Sequence, residues 1–308
     1  MLKHAFVSGK ADGGDATLVQ PSDWNADHTI DSEGLVIPAG AAPSVPADGS
    51  VKLFAKNQAE RIMPAFMGPS GLDSLMMPHL AKNGWASWKP TFTGTSISAI
   101  GSAALTATGT VTSAPYAATS LHTRGQRVDY LVTTASTTAV AGYRGAALNY
   151  RGAEGFHMIF RICPATGTTL TTDRCFVGMA SSTSAPTDVE PSTLTNIVGV
   201  GYGAADTNWQ FYFNSSSGAA TAIDTGIAAP TTDRQGIYTI QVFSPPGSAW
   251  FAAAITDEAT GTYVSSGQVS TNIPSTTVGL APRGYHSVGG TSSVVGMTLF
   301  SGWVDMDN

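Results

Sequence analysis

The sequence predicts a mainly β protein, and three features of its composition and pattern support this prediction. Only 12% of the 308 residues are charged, whereas the surfaces of helical bundles and coiled coils are rich in Glu, Lys and Arg. Short β-branched and aromatic runs alternate with turn residues, among them many of the 34 glycines and 17 prolines. No amphipathic helical segment separates these runs, so a parallel sheet built from βαβ units is excluded.

The clearest strands lie within residues 91–308, which we interpret as one domain. Gly, Pro, Ser, Thr and Asp clusters separate them, as in antiparallel all-β proteins. Their number and length predict an antiparallel β-sandwich of the jelly-roll or lectin-like type, although the order of the strands stays open. The segments are Val128–Thr134, Phe156–Ile162, Trp209–Phe213, Ile237–Phe243, Trp250–Ile255 and Met297–Val304.

Residues 1–30 have the composition of an extended arm. Gly, Asp and Pro are too dense for a helix, and the few apolar side chains are too far apart to form a core. Such a segment becomes ordered when it lies on another protein. We expect its large side chains Phe6 and Trp24 to be the anchors of that contact.

Residues 31–90 are interpreted as a small β module that forms oligomers. Two short strands, at Leu35–Ile37 and Val51–Ala55, flank a stiff loop rich in Pro, Gly and Ala. Sixty residues with so few apolar side chains gain burial most readily from other copies of the chain. We therefore expect a homotrimer in which the copies share the apolar side chains of this module, namely Leu35, Ile37, Leu53, Phe54, Phe66 and Leu72.

Charge and hydropathy exclude several classes of partner. The formal charge is −6 and the 15 basic residues are scattered, so the sequence predicts no nucleic-acid binding. No run of about 18 apolar residues occurs, and Met1–Val7 lacks the continuous apolar stretch of a signal peptide. We expect a protein that is synthesised in a cytoplasm and does not insert into a membrane.

The two cysteines, Cys163 and Cys175, leave alternatives open. They are twelve residues apart and could close a hairpin, but a cytoplasmic origin and a large core favour buried thiols. Zinc binding lacks the close ligand spacing that it usually requires. The sequence predicts no metal site and no cofactor.

A search for catalytic groups gives no catalytic residue. No Gly-x-Ser-x-Gly elbow occurs, and no histidine has a metal-ligand partner at a known spacing. His157 lies in a strand beside Ile159 and Arg161, where a hydrogen-bonded structural role is favoured. Gly199–Gly203 resembles a phosphate-binding loop but lacks the Lys and helix start, so it is interpreted as a Gly-rich strand or bend.

Paired carboxylates for glycoside cleavage are the remaining enzymatic possibility. Asp188 and Glu190 are close in sequence, and a glycosidase needs two carboxylates that flank a cleft. These two lie in a loop bounded by Pro186 and Pro191, where acidic side chains are commonly solvated. The solvated interpretation is favoured.

Recognition through aromatic side chains is then the favoured chemistry. Aromatic rings stack on sugar rings and anchor protein partners. Because side chains alternate between the two faces of a strand, about half of the candidates are expected to face the core. Tyr202 and Trp209 are chosen as receptor contacts, and the other candidates are Tyr212, Trp250, Tyr263 and Tyr285.

Three stretches of the chain resemble segments of tailed-bacteriophage virion proteins. The segment Val7–His28 resembles their N-terminal arm, while Gly49–Lys56 and Pro64–Asp73 resemble a module of the same proteins. The third stretch, Phe176–Thr187 with Gly201–Trp209, resembles their C-terminal β domain.

This resemblance implies a structural protein of the virion, of the tail-fibre or receptor-binding type and commonly trimeric. The arm is expected to bind other virion proteins, and the β domain to meet a glycan or protein on the host cell. A head fibre or capsid decoration protein is the alternative, since it uses the same arrangement of arm and β domain. A polysaccharide depolymerase is the less favoured third hypothesis.

Overall fold

A computed structural model of the chain describes residues 36–71, 73–75, 83–90, 97–101, 104–114, 117, 119–165, 172–231, 234, 236–247 and 249–307. The predicted arm, with Phe6 and Trp24, lies outside these residues. The described part of the chain divides into two compact units. The first comprises residues up to Lys56 and the segment Pro64–Leu75, and the second comprises Asn57–Met63 and the residues from 83 onward.

Three short strands form the first sheet, in the order β1 (Lys52–Gln58), β2 (Arg61–Met67) and β3 (Asp73–Leu75). Side chains of β2 alternate between exposed and buried, as expected for a strand with one apolar face covered. The buried cluster of this sheet is small and consists of Phe54, Ala65 and Met67. Strands β1 and β2 form a hairpin. Its turn and the strand ends next to it, Asn57–Met63, belong to the second unit, and we call this segment the hairpin tip.

The second unit contains the remaining strands. Among the described residues, the one helical element between them is a 3₁₀ turn at Pro191–Thr193. In chain order the strands are β4 (Asn83–Pro90), β5 (Ile97–Ile100), β6 (Thr106–Thr108), β7 (Thr110–Ala114), β8 (Arg127–Ser136), β9 (Val140–Arg144), β10 (Phe156–Ala165), β11 (Arg174–Ala180), β12 (Ile197–Tyr202), β13 (Asn208–Asn214), β14 (Thr221–Ala228), β15 (Tyr238–Ser244), β16 (Ala252–Asp257), β17 (Thr262–Ser265), β18 (Ala281–Ser287) and β19 (Ser293–Asp307).

These strands form two antiparallel sheets. The nine-stranded sheet has the order β17-β16-β15-β10-β19-β4-β5, and β8 and β7 continue beside another part of β19. The seven-stranded sheet has the order β14-β13-β12-β11-β18-β9-β6. The prediction of an antiparallel β-sandwich is confirmed. Because β4 pairs with β19, the sandwich begins before residue 91, where the sequence had placed its boundary.

Aromatic side chains fill the space between the two sheets. The ring of Phe160 on β10 stacks on the ring of Tyr143 on β9, with centroids 5.5 Å apart, and Trp88 on β4 lies 5.6 Å from Phe160. All three are almost completely buried. Large aromatic side chains on both inner faces supply most of the apolar area that stabilises a sandwich.

A buried polar group also joins the two sheets. The Nδ1 atom of His286, on β18, lies 2.8 Å from the carbonyl oxygen of Gly296 on β19. Its Nε2 atom lies 2.7 Å from Oδ2 of Asp173, which also accepts a hydrogen bond from the hydroxyl of Tyr202 at 2.8 Å. Since a buried polar group without a partner is costly, this chain of contacts fixes β18 against β19 in one arrangement.

The longest strand, β19, changes which side chains face the core partway along its length. Ile162 pairs with Leu299 but Arg161 pairs with Ser301, so Phe300 is an extra residue that forms a β-bulge. Before the bulge, Met297 and Leu299 face the core, and after it Val304 does. Trp303 consequently lies on the outer face.

Tyr202 and Trp209 do not lie on the surface, which corrects the prediction that they contact a receptor. Trp209 is fully buried and Tyr202 is 2% exposed. Their rings meet edge to face with centroids 4.9 Å apart, and Trp209 also packs 4.8 Å from Tyr238 of the opposite sheet. Both residues occupy the inward positions of their strands, so they stabilise the core.

Cys163 and Cys175 are both buried thiols that form no disulfide, as the sequence predicted. Burial raises the pKa of the Cys175 thiol well above its ordinary value, and the nearby Asp173 adds to this effect. The thiol of Cys175 therefore stays protonated and behaves as a small apolar side chain.

Replacement of Trp209 by Ala should destabilise the sandwich by about 3–5 kcal/mol, because it removes a large buried ring and leaves a cavity between the sheets. Urea unfolding followed by circular dichroism measures this loss. The matched control is Trp250→Ala, since Trp250 is only partly buried and should cost much less. Equal losses for the two variants would contradict the placement of Trp209 in the core.

Candidate functional site

The outer face of the nine-stranded sheet carries a network of polar side chains. On antiparallel strands, paired residues form rows that run across the sheet. One row contains Ala252, Phe243, His157 and Asp305, from β16, β15, β10 and β19. The hairpin tip lies on this row and contributes Arg61 to it.

Arg61 anchors the hairpin tip to the sheet. Its Nη1 atom donates a hydrogen bond to Oδ2 of Asp305 at 2.6 Å, and the Asp305 side chain is 3% exposed. The guanidinium also lies over the ring of Phe243, 5.8 Å from its centroid. A charge-assisted hydrogen bond of this length, with a cation–π contact beside it, holds the Arg61 side chain in one position.

A chain of amides and an imidazole continues from this ion pair. The Nε2 atom of Gln241 donates to Oε1 of Gln58 at 2.6 Å, which leaves Oε1 of Gln241 facing Nε2 of His157 at 3.2 Å. His157 therefore carries its proton on Nε2 and presents an unprotonated Nδ1 to Arg61, 3.4 Å away. The network satisfies every member with a neutral histidine.

The pKa of His157 agrees with this assignment. Burial and, to a smaller extent, the positive charge of Arg61 lower it from 6.5 to about 3, and the hydrogen bond that His157 donates to Gln241 opposes this shift only in part. His157 thus stays neutral at every ordinary pH. The prediction that it is a hydrogen-bonded structural histidine is confirmed.

Two further contacts fix the other end of the hairpin tip. The backbone N–H of Ala59 donates to the hydroxyl of Tyr263 at 2.8 Å, and the hydroxyl of Ser265 donates to Oε1 of Glu60 at 2.8 Å. Between these anchors the sheet presents only the small side chains of Ala252 and Ala254 on its outer face, both fully buried. Small side chains at these positions let a backbone turn lie flat on the sheet.

Beside the hairpin tip, one strip of the outer face remains uncovered. It consists of a row across five strands with two flanking residues from the neighbouring row, and we call it the outer strip. All its members are partly or well exposed. The row is Tyr263, Thr256, Thr239, Arg161 and Ser301, and the flanking residues are Ile159 and Trp303.

Polar groups of the outer strip are held by one another. Nη2 of Arg161 lies 3.6 Å from Oε2 of Glu258, and the hydroxyl of Thr239 donates a short hydrogen bond to Oε1 of the same carboxylate. Both charged side chains keep substantial exposure, at 40% for Arg161 and 27% for Glu258. An ion pair at this distance and exposure contributes little to stability, and the exposed parts of both side chains face solvent.

The far side of the outer strip is also bounded. Phe300, Ile237 and Cys163 form a buried cluster on the outer face. His122 meets the ring of Phe300 edge to face at 5.6 Å, so the segment that carries His122 covers this cluster. At its β19 end the outer strip therefore lies between two covers, the hairpin tip on one side and this segment on the other.

The acidic pair Asp188 and Glu190 has a structural role in this fold. Arg174 donates to both, from Nη1 to Asp188 at 2.8 Å and from Nε to Glu190 at 2.7 Å. Asp188 also accepts hydrogen bonds from the backbone N–H groups of Gly289 and Gly290, at 3.2 and 3.1 Å. The prediction that these side chains are simply solvated is wrong, because ion pairing fixes them.

The loop that contains this pair, residues 181–196, covers the outer face of the seven-stranded sheet. Arg283 donates to the carbonyl oxygen of Ser184 at 2.9 Å, and the hydroxyl of Tyr285 donates to that of Val189 at 2.9 Å. Beneath the loop, Gly199 and Gly201 lie in β12, as the Gly-rich strand interpretation predicted. The chain itself therefore covers the part of this face that lies around Arg283 and Tyr285.

The other four aromatic residues that the sequence predicted as contacts differ in exposure. Tyr212 and Tyr285 are buried on the outer face of the seven-stranded sheet, in the cluster beneath the loop. Trp250 is partly buried against Phe243, with ring centroids 5.7 Å apart. Tyr263 is 37% exposed and belongs to the outer strip.

Two residues of the outer strip, Trp303 and Arg161, were missed by the sequence analysis as contact candidates. Regular alternation from Met297 and Leu299 would place Trp303 in the core, and only the bulge at Phe300 moves it to the outer face. A side-chain period that changes within one strand has no signal in the sequence pattern. The alternation of Arg161 with Phe160 and Ile162 was visible and could have identified it.

Neither metal nor membrane sites are found in the part of the chain that the structure describes. No group of three His, Cys, Asp or Glu side chains there lies close enough together to hold a metal ion. Among the same residues, no helix has the length and apolar character needed to cross a bilayer.

Comparison with known proteins gives similarity of fold. No protein-family model and no curated protein matches the sequence. Among solved structures, a protein of unknown function from Shewanella oneidensis MR-1 is similar over 75% of this chain and 89% of its own, with 10% identity and a TM-score of 0.50. At this identity the similarity extends to the fold alone.

Two further solved structures are similar at lower scores. Peanut lectin matches 73% of this chain and 98% of its own, with 12% identity and a TM-score of 0.44. The carbohydrate esterase of the Shiga toxin-encoding bacteriophage phi24B matches 66% of this chain and 90% of its own, with 12% identity and a TM-score of 0.38.

Acid should destabilise the wild-type chain more than a His157→Gln variant. The unfolded state binds a proton at His157 below about pH 6.5, whereas the folded state binds it only near pH 3. Stability from this group is therefore complete above pH 6.5 and falls by about 1.4 kcal/mol per pH unit below it. Urea unfolding at pH 7.0, 5.5 and 4.5 measures the slope.

The Gln variant lacks this titration, so its slope between pH 7.0 and 4.5 should be smaller than that of the wild type. Its stability at pH 7.0 provides the control, because it reports the packing cost of the substitution alone. Identical pH slopes for the two proteins would contradict a buried neutral His157.

Proposed function

We propose that the chain is a structural protein of a bacteriophage virion, of the tail-fibre or receptor-binding type, which recognises the host cell without covalent chemistry. The observation that carries this proposal is the exposed apolar face of the small three-stranded sheet. Leu53 on β1 is 61% exposed and Phe66 on β2 is 37% exposed, and Val51, directly before β1, is 60% exposed. The resemblance of the arm and of this module to phage virion proteins supports the same assignment.

Three copies of the chain would give this apolar face the burial that one copy lacks. The buried cluster of the sheet contains only Phe54, Ala65 and Met67, too few to stabilise a free-standing sheet. A closed symmetric assembly places the same surface of each copy against its neighbours. The homotrimer is thus the proposed state, with Leu53 and Phe66 at the contacts.

The remaining parts of the proposal follow from the division of the chain. Residues 1–30, with the anchors Phe6 and Trp24, are proposed to bind other proteins of the virion. The sandwich is proposed to bind a glycan or protein of the host surface. Because one such site is weak, three sites on each trimer would raise the total affinity through multivalency.

Light scattering of the purified full-length chain should give about three times its mass of 31.6 kDa. Leu53→Ser with Phe66→Ser should shift this value towards the monomer, because two polar side chains would enter each apolar contact. Leu148→Ser is the control, since Leu148 is 39% exposed and belongs to the second unit. A monomeric wild type, or a trimer that both substitutions leave unchanged, would contradict the proposal.

Particle adsorption tests the proposed role. Excess purified full-length chain should slow the adsorption of particles to host cells, because it occupies the same receptors. A chain without residues 1–30 should compete equally well but should fail to join particles. If neither protein slows adsorption, the receptor-binding assignment is wrong, and a decoration protein of the capsid takes its place.

A further inference from the structure

We propose that the outer strip of the nine-stranded sheet binds a neutral glycan, with the ring of Trp303 as its main stacking surface. This inference rests on the proposed function in one respect, namely that the sandwich is the part of the chain that meets the host. It goes further by naming the site and the chemical class of the ligand. Within the strip, Tyr263 also helps to hold the hairpin tip, because its hydroxyl accepts a hydrogen bond from the backbone N–H of Ala59.

The shape of the outer strip suits an extended chain of sugars. Its row crosses the five strands β17, β16, β15, β10 and β19. At about 4.8 Å per strand, the row is about 19 Å long. The hairpin tip bounds one long side, and the segment around His122 bounds the other at the β19 end, so a linear ligand would lie across the strands beside the tip.

Aromatic rings lie near both ends of this row. Tyr263 is at the β17 end and 37% exposed, and Trp303 is at the β19 end and partly exposed. His157 meets the indole of Trp303 edge to face at 6.0 Å, and the network that holds His157 therefore also fixes Trp303. A ring that is already held in place loses little conformational entropy when a sugar stacks on it.

Hydroxyl groups and one ion pair lie between the two rings. Thr256, Thr239 and Ser301 supply hydroxyls, while Arg161 and Glu258 supply donors and acceptors that are only loosely paired, at 3.6 Å. Sugar hydroxyls donate and accept hydrogen bonds at the same time, so a mixed set of this kind can satisfy them.

Charge indicates a neutral ligand. The positive charge of Arg161 is balanced by Glu258, and that of Arg61 beside the strip is balanced by Asp305. The chain as a whole has a formal charge of −6, which opposes the approach of a polyanionic glycan. A neutral polysaccharide meets neither an unpaired charge nor a repulsive field.

Binding of defined polysaccharides tests the inference directly. The full-length chain is applied to immobilised dextran, mannan and galactan as neutral probes, and to polygalacturonate as an acidic probe. We expect binding to at least one neutral probe and none to the acidic one. Binding to polygalacturonate alone, or to no probe, would overturn the inference.

Two variants locate the site. Trp303→Ala should weaken binding to the neutral probe at least about tenfold, since it removes the stacking surface. Trp250→Ala is the matched control, because Trp250 is a partly exposed indole that lies before β16 and packs on Phe243, outside the strip. Thermal unfolding confirms that both variants fold, and Trp303→Phe, which keeps a ring, should retain part of the affinity. Equal binding by wild type and Trp303→Ala would place the site elsewhere.

The adsorption experiment separates failure of this site from failure of the proposed function. If the full-length chain slows adsorption while Trp303→Ala does so equally well, the receptor role stands and the outer strip is overturned as its site. If neutral glycan binds at Trp303 but the wild-type chain leaves adsorption unchanged, the site stands and the receptor role falls.

Discussion

The β-bulge at Phe300 is the constraint on which the two faces of the nine-stranded sheet depend. The strand β19 pairs with β10 along one edge and with β8 and β4 along the other. The alternation of its side chains is therefore shared by the paired rows of these neighbouring strands. By adding one residue, the bulge places Val304 in the core and Trp303 outside. Gly302, at the first inward position after the bulge, lies so close to the ring of Phe160 that a Cβ atom would sit 2.7 Å from it. The bulge therefore depends on a residue without a side chain.

The outer faces of a sandwich must be polar or covered, and this chain covers most of both. Arg174, Arg283 and Tyr285 hold the loop 181–196 on the seven-stranded sheet through ion pairs and backbone carbonyls. On the other sheet, Arg61 holds the hairpin tip over a row that includes Asp305. These two covers use arginines with several fixed partners, as expected where a charged side chain is partly buried. The outer strip is what the covers leave open, so its exposure is a consequence of where they end.

The sequence predicted the class of fold because composition and strand spacing report directly on it. His157 and the two thiols were also predictable, since each depends on the local alternation of one strand or on the size of the core. Tyr202 and Trp209 were misplaced because alternation tells which residues share a face but not which face is inward. Asp188 was misjudged for another reason: its partners, Arg174 and Gly289, come from distant parts of the chain. Contacts between distant segments have no local signal.

The described tryptophans differ in how far they contribute to the core. Trp88 and Trp209 are buried and belong to the core, where loss of either ring would leave a cavity. Trp303 keeps part of its ring exposed although the sheet offers a core position one residue away on either side. A large ring held at the surface gives up apolar burial of about 25 cal/mol for each Å² left in water. The neighbouring network of His157, Arg61 and Asp305 fixes that ring in its exposed position rather than letting it fold over the sheet. The exposed part of this ring adds no apolar burial to folding, whereas a ring held in place loses little entropy when a ligand stacks on it.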